Sequence, residues 1–265
     1  MSTNHADRNT RLVQTLDEIL DSLAFDAAHP IQVLRIADGR EVVIVQSNMF
    51  TISRIYTSGR PDGKKPHGRN SYYDYFLEQL EDYKRQRGSD EGFRLTPEDW
   101  RDLFQESYDR YTRYLFFAGL KRWADVKRDT ETNIAVAEMA RKYAPSNVAW
   151  GIYQYKGYML MMNGVANAEL GLMTNDRQDA LRQIDLGIQR MGQFCGECLR
   201  EGYGDAENIT RERYLSNLIE YRADLESVEA GLENQSDLHD DDDNDNDDWD
   251  ILDELEELLD EEDED

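Results

Sequence analysis

The sequence has little cysteine and histidine, and it has no long run of apolar residues. Two cysteines in 265 residues argue against an extracellular scaffold that depends on disulfide bonds. No apolar stretch reaches the length of about 18 residues that a membrane-spanning helix requires. The chain also has no basic start followed by an apolar stretch, which would mark a secretory signal. The sequence therefore predicts a cytoplasmic protein that does not associate with a membrane.

The chain also lacks the motifs that identify catalytic and metal sites. It contains neither G-x-S-x-G nor H-E-x-x-H, and its four histidines do not have the spacing of zinc ligands. Cys195-Gly-Glu-Cys198 lies late in a predicted helix, where the two thiols are neighbours on one face. We interpret them as structural thiols, with a redox pair as the alternative. We expect no catalytic residue, no metal and no cofactor, and we do not expect an enzyme.

Lysine and arginine are absent from the last 29 residues, which are strongly acidic. Residues 237–265 hold 19 acidic side chains and no basic ones. The formal net charge of the chain is −26, so removing these 19 negative charges leaves −7 for the remainder. A block of like charge cannot collapse into a core, and such blocks commonly serve as interaction tails. The sequence predicts a disordered acidic tail at 233–265.

Six large apolar residues of this tail fall within eleven positions. They are Trp249, Ile251, Leu252, Leu255, Leu258 and Leu259. Four of them recur at the i, i+4, i+7 and i+8 positions that form one face of an amphipathic helix. This pattern predicts a partner-binding motif that docks in an apolar groove with a basic rim. The alternative is an accidental composition within a disordered segment.

The rest of the chain predicts a small sheet followed by helices. Apolar residues at helical spacing predict a helix in 1–28. Two β-branched runs flank Asp38-Gly39, and a third run ends at Tyr56, which together predict an antiparallel meander. Ser71 and Gly88 have the residue types that begin and end a helix, as does Thr96-Pro97-Glu98-Asp99 at the next start. Further helices are predicted at about 124–144, 148–172, 177–201 and 209–230.

One turn between these helices resembles a known repeat. Leu120-Lys-Arg-Trp-Ala-Asp-Val126 resembles the inter-helix turn of a tetratricopeptide repeat, with an aromatic residue three positions before a small apolar one. Ala166 to Gly171, followed by Asp179-Ala-Leu, is similar to the core of the same repeat, although the loop is longer. The spacing of 54 positions from Val126 to Ala180 departs from the period of about 34. The resemblance covers residues 100–200 and implies antiparallel helical hairpins.

The same middle region is loosely similar to uncharacterised bacterial proteins that carry a C-terminal UvrB/UvrC-type helical hairpin. That closing motif is absent from this sequence, where the acidic tail takes its place. The similarity implies no activity.

Two aromatic-rich segments have candidate binding patterns. Residues 108–114 interleave tyrosine and arginine, as single-strand nucleic-acid binders do. Because Tyr108 and Tyr111 share one helix face while Arg110 and Arg113 lie off it, we expect tyrosines in the core and arginines on a solvated flank. Residues 153–162 are likewise interpreted as a buried aromatic and methionine stripe rather than a ligand pocket.

A basic loop at 59–70 is the remaining candidate site. Arg60, Lys64, Lys65 and Arg69 form an anion-binding candidate, with an ordinary solvated loop as the alternative. The acidic tail is one anion that is always present at high effective concentration. The pattern therefore suggests an intramolecular contact between tail and body.

The predicted fold class is mainly α, with tetratricopeptide-like antiparallel hairpins, a small N-terminal β meander and the acidic tail. The expected domains are a helix at 1–28, the meander plus a helix at 29–93, a helical-hairpin body at 94–232 and the tail at 233–265. We expect a protein-interaction module or adaptor whose tail binds or shields a basic partner. The alternative is a nucleic-acid-associated or nucleic-acid-mimicking factor that acts through the polyanionic tail.

Overall fold

The computed structural model of the protein describes residues 30–46 and 52–234. The chain divides into two compact units, one ending at Thr57 and the other beginning at Ser58. The helix predicted at 1–28 and the acidic tail from residue 235 onward lie outside the described residues. The domain boundary predicted at residue 93 stays a prediction, because compactness alone does not show which segments fold independently.

The first unit contains the small antiparallel sheet that the sequence predicts. Its strands are β1 (Ile31–Arg35), β2 (Glu41–Gln46) and β3 (Ile52–Tyr56), in the order β1-β2-β3. Gly39 has a φ of +86° in the turn between β1 and β2, a conformation that costs glycine little. The central strand is the most buried of the three and is covered on both faces, since Val42, Val43 and Val45 are almost fully buried. The meander is therefore confirmed.

The second unit is helical. Its elements are α1 (Tyr72–Arg87), α2 (Pro97–Gly119), α3 (Trp123–Tyr143), α4 (Ser146–Tyr153), α5 (Lys156–Met173), α6 (Arg177–Glu201), α7 (Gly204–Ile209), a π-helical turn (Thr210–Leu215) and α8 (Ser216–Asn234). Successive long helices pack against each other from α2 to α3 and from α5 to α6, while α3 also packs against α5. Within the described residues, no helix has the length and apolarity needed to cross a membrane.

The helix starts that the sequence marks most clearly are confirmed. The Ser71 hydroxyl accepts a hydrogen bond from the Asp74 amide, and Gly88 ends α1 with a φ of +76°. At the start of α2 the Thr96 hydroxyl accepts from the Asp99 amide while the Asp99 carboxylate accepts from the Thr96 amide. These reciprocal bonds satisfy amides that a helix leaves unpaired at its first turn. The local sequence is therefore enough to determine where α1 begins and ends and where α2 begins.

Two predicted helices differ from the structure. The helix predicted at 148–172 is two helices, because the chain leaves helical geometry at Tyr155, which has a φ of −86° and a ψ of 1° between α4 and α5. The last helix begins earlier than expected, at Gly204, and contains the π-helical turn before it continues as α8. Neither irregularity has a proline nearby, so the usual sequence mark of a helix break is missing.

Glycines allow α5 and α6 to approach closely. A Cβ atom added to Gly187 of α6 would lie 3.5 Å from the Cα atom of Gly164 in α5 and 2.9 Å from Leu218 Cδ2 of α8. Leu218 is completely buried at this crossing. The absence of both side chains lets a third helix close over the first two, and this packing positions the segment that precedes α8.

Candidate functional site: a tyrosine-lined cavity

The helical unit contains a cavity of about 390 Å³, which falls within the usual size range of ligand sites. Its walls come from α2, α3, α4, α5, the break between α4 and α5, and the π-helical turn. Most of the lining is aromatic, and six of the residues are tyrosines. The lining consists of Phe104, Ser107, Tyr108, Tyr111, Tyr114, Asn133, Gly151, Ile152, Tyr155, Tyr158, Met159 and Tyr214.

The two helical irregularities both deliver a tyrosine to this cavity. Tyr155 lies at the break between α4 and α5, and Tyr214 lies in the π-helical turn. An added Cβ atom on Gly157 would lie 2.8 Å from Thr210 Cγ2, so this glycine makes room for the start of the wide turn. Wide turns of this kind occur frequently at functional sites. The local departures from α-helical geometry therefore shape the cavity directly.

Several of the lining rings stand nearly perpendicular to one another. The Tyr111 ring makes an angle of 88° with Tyr114 and 70° with Tyr158, with centroids 5.5 and 5.7 Å apart. Tyr158 in turn makes an angle of 71° with Tyr214 at a centroid distance of 5.3 Å. Edge-to-face pairs at these distances are mutually stabilising. The arrangement gives the cavity rigid walls that face different directions.

The rim of the cavity is open to solvent. Tyr108 is 55% exposed and Tyr155 is 58% exposed, although both are large aromatic residues. A shallow depression adjoins the rim, shares Phe104 and Tyr108 with the cavity, and continues past Trp100. Exposed aromatic surface that continues into a concave site is typical of a binding site rather than of an ordinary core.

Two buried polar atoms at this site have no hydrogen-bond partner among the described residues. They are the hydroxyl of Ser107, which lines the cavity, and the indole N–H of Trp100, which lines the depression. Ser107 is 3% exposed and Trp100 is 2% exposed. Buried polar groups are nearly always paired in native proteins, so each of these two atoms has hydrogen-bonding capacity that a water molecule or a ligand group can use.

The expected partition of residues 108–114 is wrong. Tyr108 lies at the exposed rim, whereas Arg110 and Arg113 are 3% and 1% exposed. The arginines are buried because each has a buried acidic partner, Glu106 on α2 for Arg110 and Asp129 on α3 for Arg113, and an apolar periodicity does not reveal such pairs. The prediction of a buried stripe at 153–162 is confirmed for Tyr153 and Tyr158 through Met162, but Tyr155 turns outward at the helix break.

Glu106 is the centre of a buried ion network behind the cavity. Its carboxylate accepts hydrogen bonds from Arg110 at 2.5 Å, from Arg60 at 3.1 Å and from the backbone amide of Tyr72 at 2.7 Å. The Tyr72 amide belongs to the first turn of α1, where a carboxylate is favoured by the unpaired N–H groups. Arg110 also donates to the side-chain oxygen of Asn133 at 3.4 Å. One carboxylate thus connects α1, α2 and the preceding loop.

A second buried ion pair joins α2 to α3. Arg113 donates two hydrogen bonds to the Asp129 carboxylate, at 2.6 and 2.8 Å, and both side chains are 1% exposed. Arg113 also donates to the backbone oxygen of Gly59 at 2.9 Å. This pair fixes the loop at 59–70 to the helices.

The basic loop contains the four predicted anion-binding residues, and the structure places them differently. Arg60 is 9% exposed and pairs with Asp62 as well as Glu106, and this arginine holds the pKa of Asp62 at about 2. Arg69 is exposed and makes two hydrogen bonds to Glu78. Lys64 and Lys65 are exposed, with the Lys64 ammonium 3.5 Å from Asp62. Anion binding by this loop stays a prediction, and the two lysines are the residues best placed for it.

The two cysteines are free and buried in α6. Burial raises the pKa of both thiols, and that of Cys198 reaches about 11. A thiolate is therefore scarce at neutral pH, which disfavours redox or nucleophilic chemistry. Nearby, the Lys156 ammonium pairs with the Glu138 carboxylate at 2.5 Å. This placement agrees with the interpretation of structural thiols.

The predicted tail motif, Trp249 to Leu259, lies outside the described residues. Comparison of the chain with protein-family models, with curated proteins and with solved structures finds no match. Within residues 30–46 and 52–234, no group of three His, Cys, Asp or Glu side chains has the geometry of a metal site. The tyrosine-lined cavity is the candidate functional site among the described residues.

Sequence reasoning did not find this cavity, although one signal for it was present. Tyr108 and Tyr111 are spaced by three residues on one helix, and Tyr155 and Tyr158 have the same spacing further along the chain. Such pairs occupy one helix face and are equally consistent with a core. The break at Tyr155 and the π-helical turn at Tyr214 are what make these tyrosines line a cavity rather than fill a core. Neither feature is marked by a proline.

Proposed function

We propose that this protein is a protein-interaction module that recruits or shields a basic partner through its acidic tail. The observation that carries this proposal is the separation of charge, with 19 acidic residues at 237–265 and a net charge of −7 elsewhere. A concentrated polyanion attracts a basic surface over long distances and raises the rate of encounter. The predicted apolar face of Ile251, Leu255, Leu258 and Leu259, together with Trp249, then supplies short-range contacts.

The resemblance to a tetratricopeptide repeat favours the same role. Trp123, in the segment that carries the resemblance, begins α3 and is 9% exposed. The packing of α2 on α3 and of α5 on α6 is compatible with the helical pairs of such a scaffold. Stacked helical pairs commonly present extended binding surfaces, so the body can hold a partner that the tail has attracted.

The test is capture of partners by three full-length forms of the protein. One is unchanged, one has the acidic residues of 237–248 replaced by Asn, and one carries Trp249→Ser, Leu255→Ser and Leu258→Ser. We expect the acid-to-Asn form to lose most capture at about 50 mM salt, because the long-range attraction is electrostatic. We expect the apolar variant to lose the capture that survives at 300 mM salt. Capture that is the same for all three forms would contradict the proposal.

The number of acidic residues also favours a second candidate, a factor that mimics nucleic acid. Such a polyanion would compete with DNA or RNA for basic proteins without needing the apolar residues. Its binding would fall steeply and linearly with the logarithm of salt concentration. The same three forms distinguish the two functions, since a mimic depends on the acidic residues alone and is indifferent to Leu255→Ser.

An intramolecular contact between the tail and the exposed Lys64 and Lys65 remains a proposal as well. Charge complementarity supports it, since Arg60 and Arg69 already pair with carboxylates in the body. Deleting 237–265 should then increase binding to heparin, and Lys64→Gln with Lys65→Gln should abolish that increase. Heparin binding that does not change on tail deletion would exclude the contact.

A further inference from the structure

The tyrosine-lined cavity has a chemical character that narrows the choice of ligand. Aromatic faces carry negative electrostatic potential and attract cations whose centres lie within about 6 Å of the ring. The Tyr111 ring is nearly perpendicular to the rings of Tyr114 and Tyr158, which are close to parallel with each other, so the aromatic wall presents rings in two orientations. In the part of the chain that the structure describes, the lining contains no charged side chain. The cavity can therefore receive a charged group without repulsion from its own walls.

The same fold repeatedly places guanidinium groups against aromatic rings. The Arg40 guanidinium lies 4.3 Å from the ring centre of Tyr56, that of Arg60 lies 4.8 Å from Tyr72, and that of Arg141 lies 5.3 Å from Tyr153. A guanidinium is planar and more weakly hydrated than an ammonium, so it enters an aromatic environment at lower cost. This geometry is compatible with the dimensions of the cavity.

The buried hydroxyl of Ser107 adds a hydrogen-bond requirement. It has no partner among the described residues, and Ser107 is one of the few polar residues in the largely aromatic wall of the cavity. A hydroxyl oxygen accepts an N–H donor, and a guanidinium offers five of them. A purely apolar guest would leave this hydroxyl unpaired, and unpaired buried polar groups reduce affinity.

The charge of the whole chain favours the same kind of guest. A net charge of −26 concentrates cationic segments near the protein and steers basic partners toward it. Tyr108 and Tyr155 at the exposed rim give such a segment access to the interior. The negative net charge and the exposed tyrosines at the rim both favour a cationic side chain on a basic protein as the guest.

We propose that the tyrosine-lined cavity binds the guanidinium group of an arginine side chain from the basic partner, an inference that rests on the proposed function. The guanidinium packs against the tyrosine rings, and one of its N–H groups donates to the Ser107 hydroxyl once that side chain rotates toward the cavity. The tail brings the basic partner close, and the cavity identifies arginine within it.

The first experiment compares two small probes that differ in charge but hardly in shape. N-acetyl-arginine methylamide and N-acetyl-citrulline methylamide are titrated into the full-length protein at about 150 mM salt, with binding followed by the NMR signals of labelled tyrosine rings. All 15 tyrosines lie between residues 56 and 221, so these signals report on the body and not on the tail. We expect the arginine probe to bind at least about fivefold more tightly, from the cation–π contribution. Equal binding of the two probes would overturn the proposal.

The second experiment identifies the site with variants. Tyr155→Leu removes an exposed ring and should weaken arginine binding about threefold or more, whereas Tyr155→Phe keeps the ring and should leave binding nearly unchanged. Ser107→Ala removes the unpaired acceptor and should weaken arginine binding by a similar factor. Tyr75→Leu, whose ring stacks on His67 away from the cavity, is the control and should have no effect.

The outcomes separate this inference from the proposed function. If Tyr155→Leu and Ser107→Ala leave arginine binding unchanged, the guanidinium assignment is wrong even where partner capture still depends on the tail. If tail variants do not affect partner capture but the probes discriminate as expected, the arginine site stands and the role of the tail fails.

Discussion

Buried charges of α2 and α3 hold several helices and a loop together at the residue scale. Arg113 and Asp129 are both almost fully buried, so neither can be solvated by water if the other is lost. Asp129 also accepts a hydrogen bond from the side chain of Arg128 at 3.0 Å. The net contribution of a buried ion pair to the free energy of unfolding is small, because both charges lose their hydration. The loss of stability when only one partner is removed is much larger, because the other charge stays buried. The energetic consequence is therefore asymmetric.

This asymmetry predicts the effect of removing one charge. Asp129→Asn should lower the free energy of unfolding by about 3–5 kcal/mol, because it removes the carboxylate that pairs with the buried Arg113 guanidinium. The combined variant Arg113→Met with Asp129→Leu should recover much of the loss. Asp82→Asn, at an exposed pair with Arg85, should cost less than about 1 kcal/mol. Urea denaturation measures all three, and equal losses at Asp82 and Asp129 would refute the prediction.

Interruptions of helical geometry determine where the cavity lies at the element scale. The wide turn at Thr210–Leu215 begins against Gly157, the second residue of α5. An added methyl group at Gly157 would collide with the Thr210 side chain, of which the Cβ and Cγ2 atoms lie at 3.0 and 2.8 Å. The glycine and the wide turn therefore depend on each other, and the position of Tyr214 depends on both.

A single methyl group tests this dependence. Gly157→Ala should destabilise the protein by about 1–3 kcal/mol through overpacking, and it should weaken arginine binding by displacing Tyr214. Gly192→Ala is the matched control, because a Cβ atom there meets nothing within 4 Å and alanine favours a helix interior. The control should raise the melting temperature slightly. A Gly157→Ala protein with unaltered melting temperature would show that the turn has room to move.

The contrast between predicted and unpredicted elements has a physical basis. Caps at Ser71, Gly88 and Thr96 use hydrogen bonds within three or four residues, so the local sequence contains the whole signal. The break at Tyr155 has neither a proline nor a side-chain cap, so a window of sequence contains no mark of it. Burial of Arg110 depends on Glu106 being held by a loop more than 40 residues earlier. The sequence predicted the helices but not the cavity that their irregularities create.

The division of the chain after Thr57 concerns the whole molecule. The loop from Ser58 to Asn70 belongs to the helical unit, since Arg60 pairs with Glu106 and Gly59 accepts a hydrogen bond from Arg113. Cutting before this loop leaves every one of these contacts intact. Cutting after it leaves Glu106 and Arg113 buried with fewer partners.

Two fragments test whether the helical unit folds on its own. Residues 58–234 should unfold cooperatively with a melting temperature close to that of the full-length protein. Residues 71–234 should melt roughly 5–10 °C lower, because the buried charges lose contacts worth about 2–3 kcal/mol. Circular dichroism during heating measures both fragments. Identical melting temperatures would show that the loop contributes nothing to the folded helices.

The π-helical turn also makes the cavity sensitive to a deletion of one residue. Such a turn accommodates one residue more than an α-helix would place over the same rotation. Loss of one residue between Thr210 and Leu215 would therefore restore a regular helix without rotating α8 about its axis. Leu218 would keep its place against Gly164 and Gly187, whereas the side chains of the turn itself, with Tyr214 among them, would be reoriented. A difference of one residue in the length of this segment would thus separate chains that keep the cavity from chains that have only the helices.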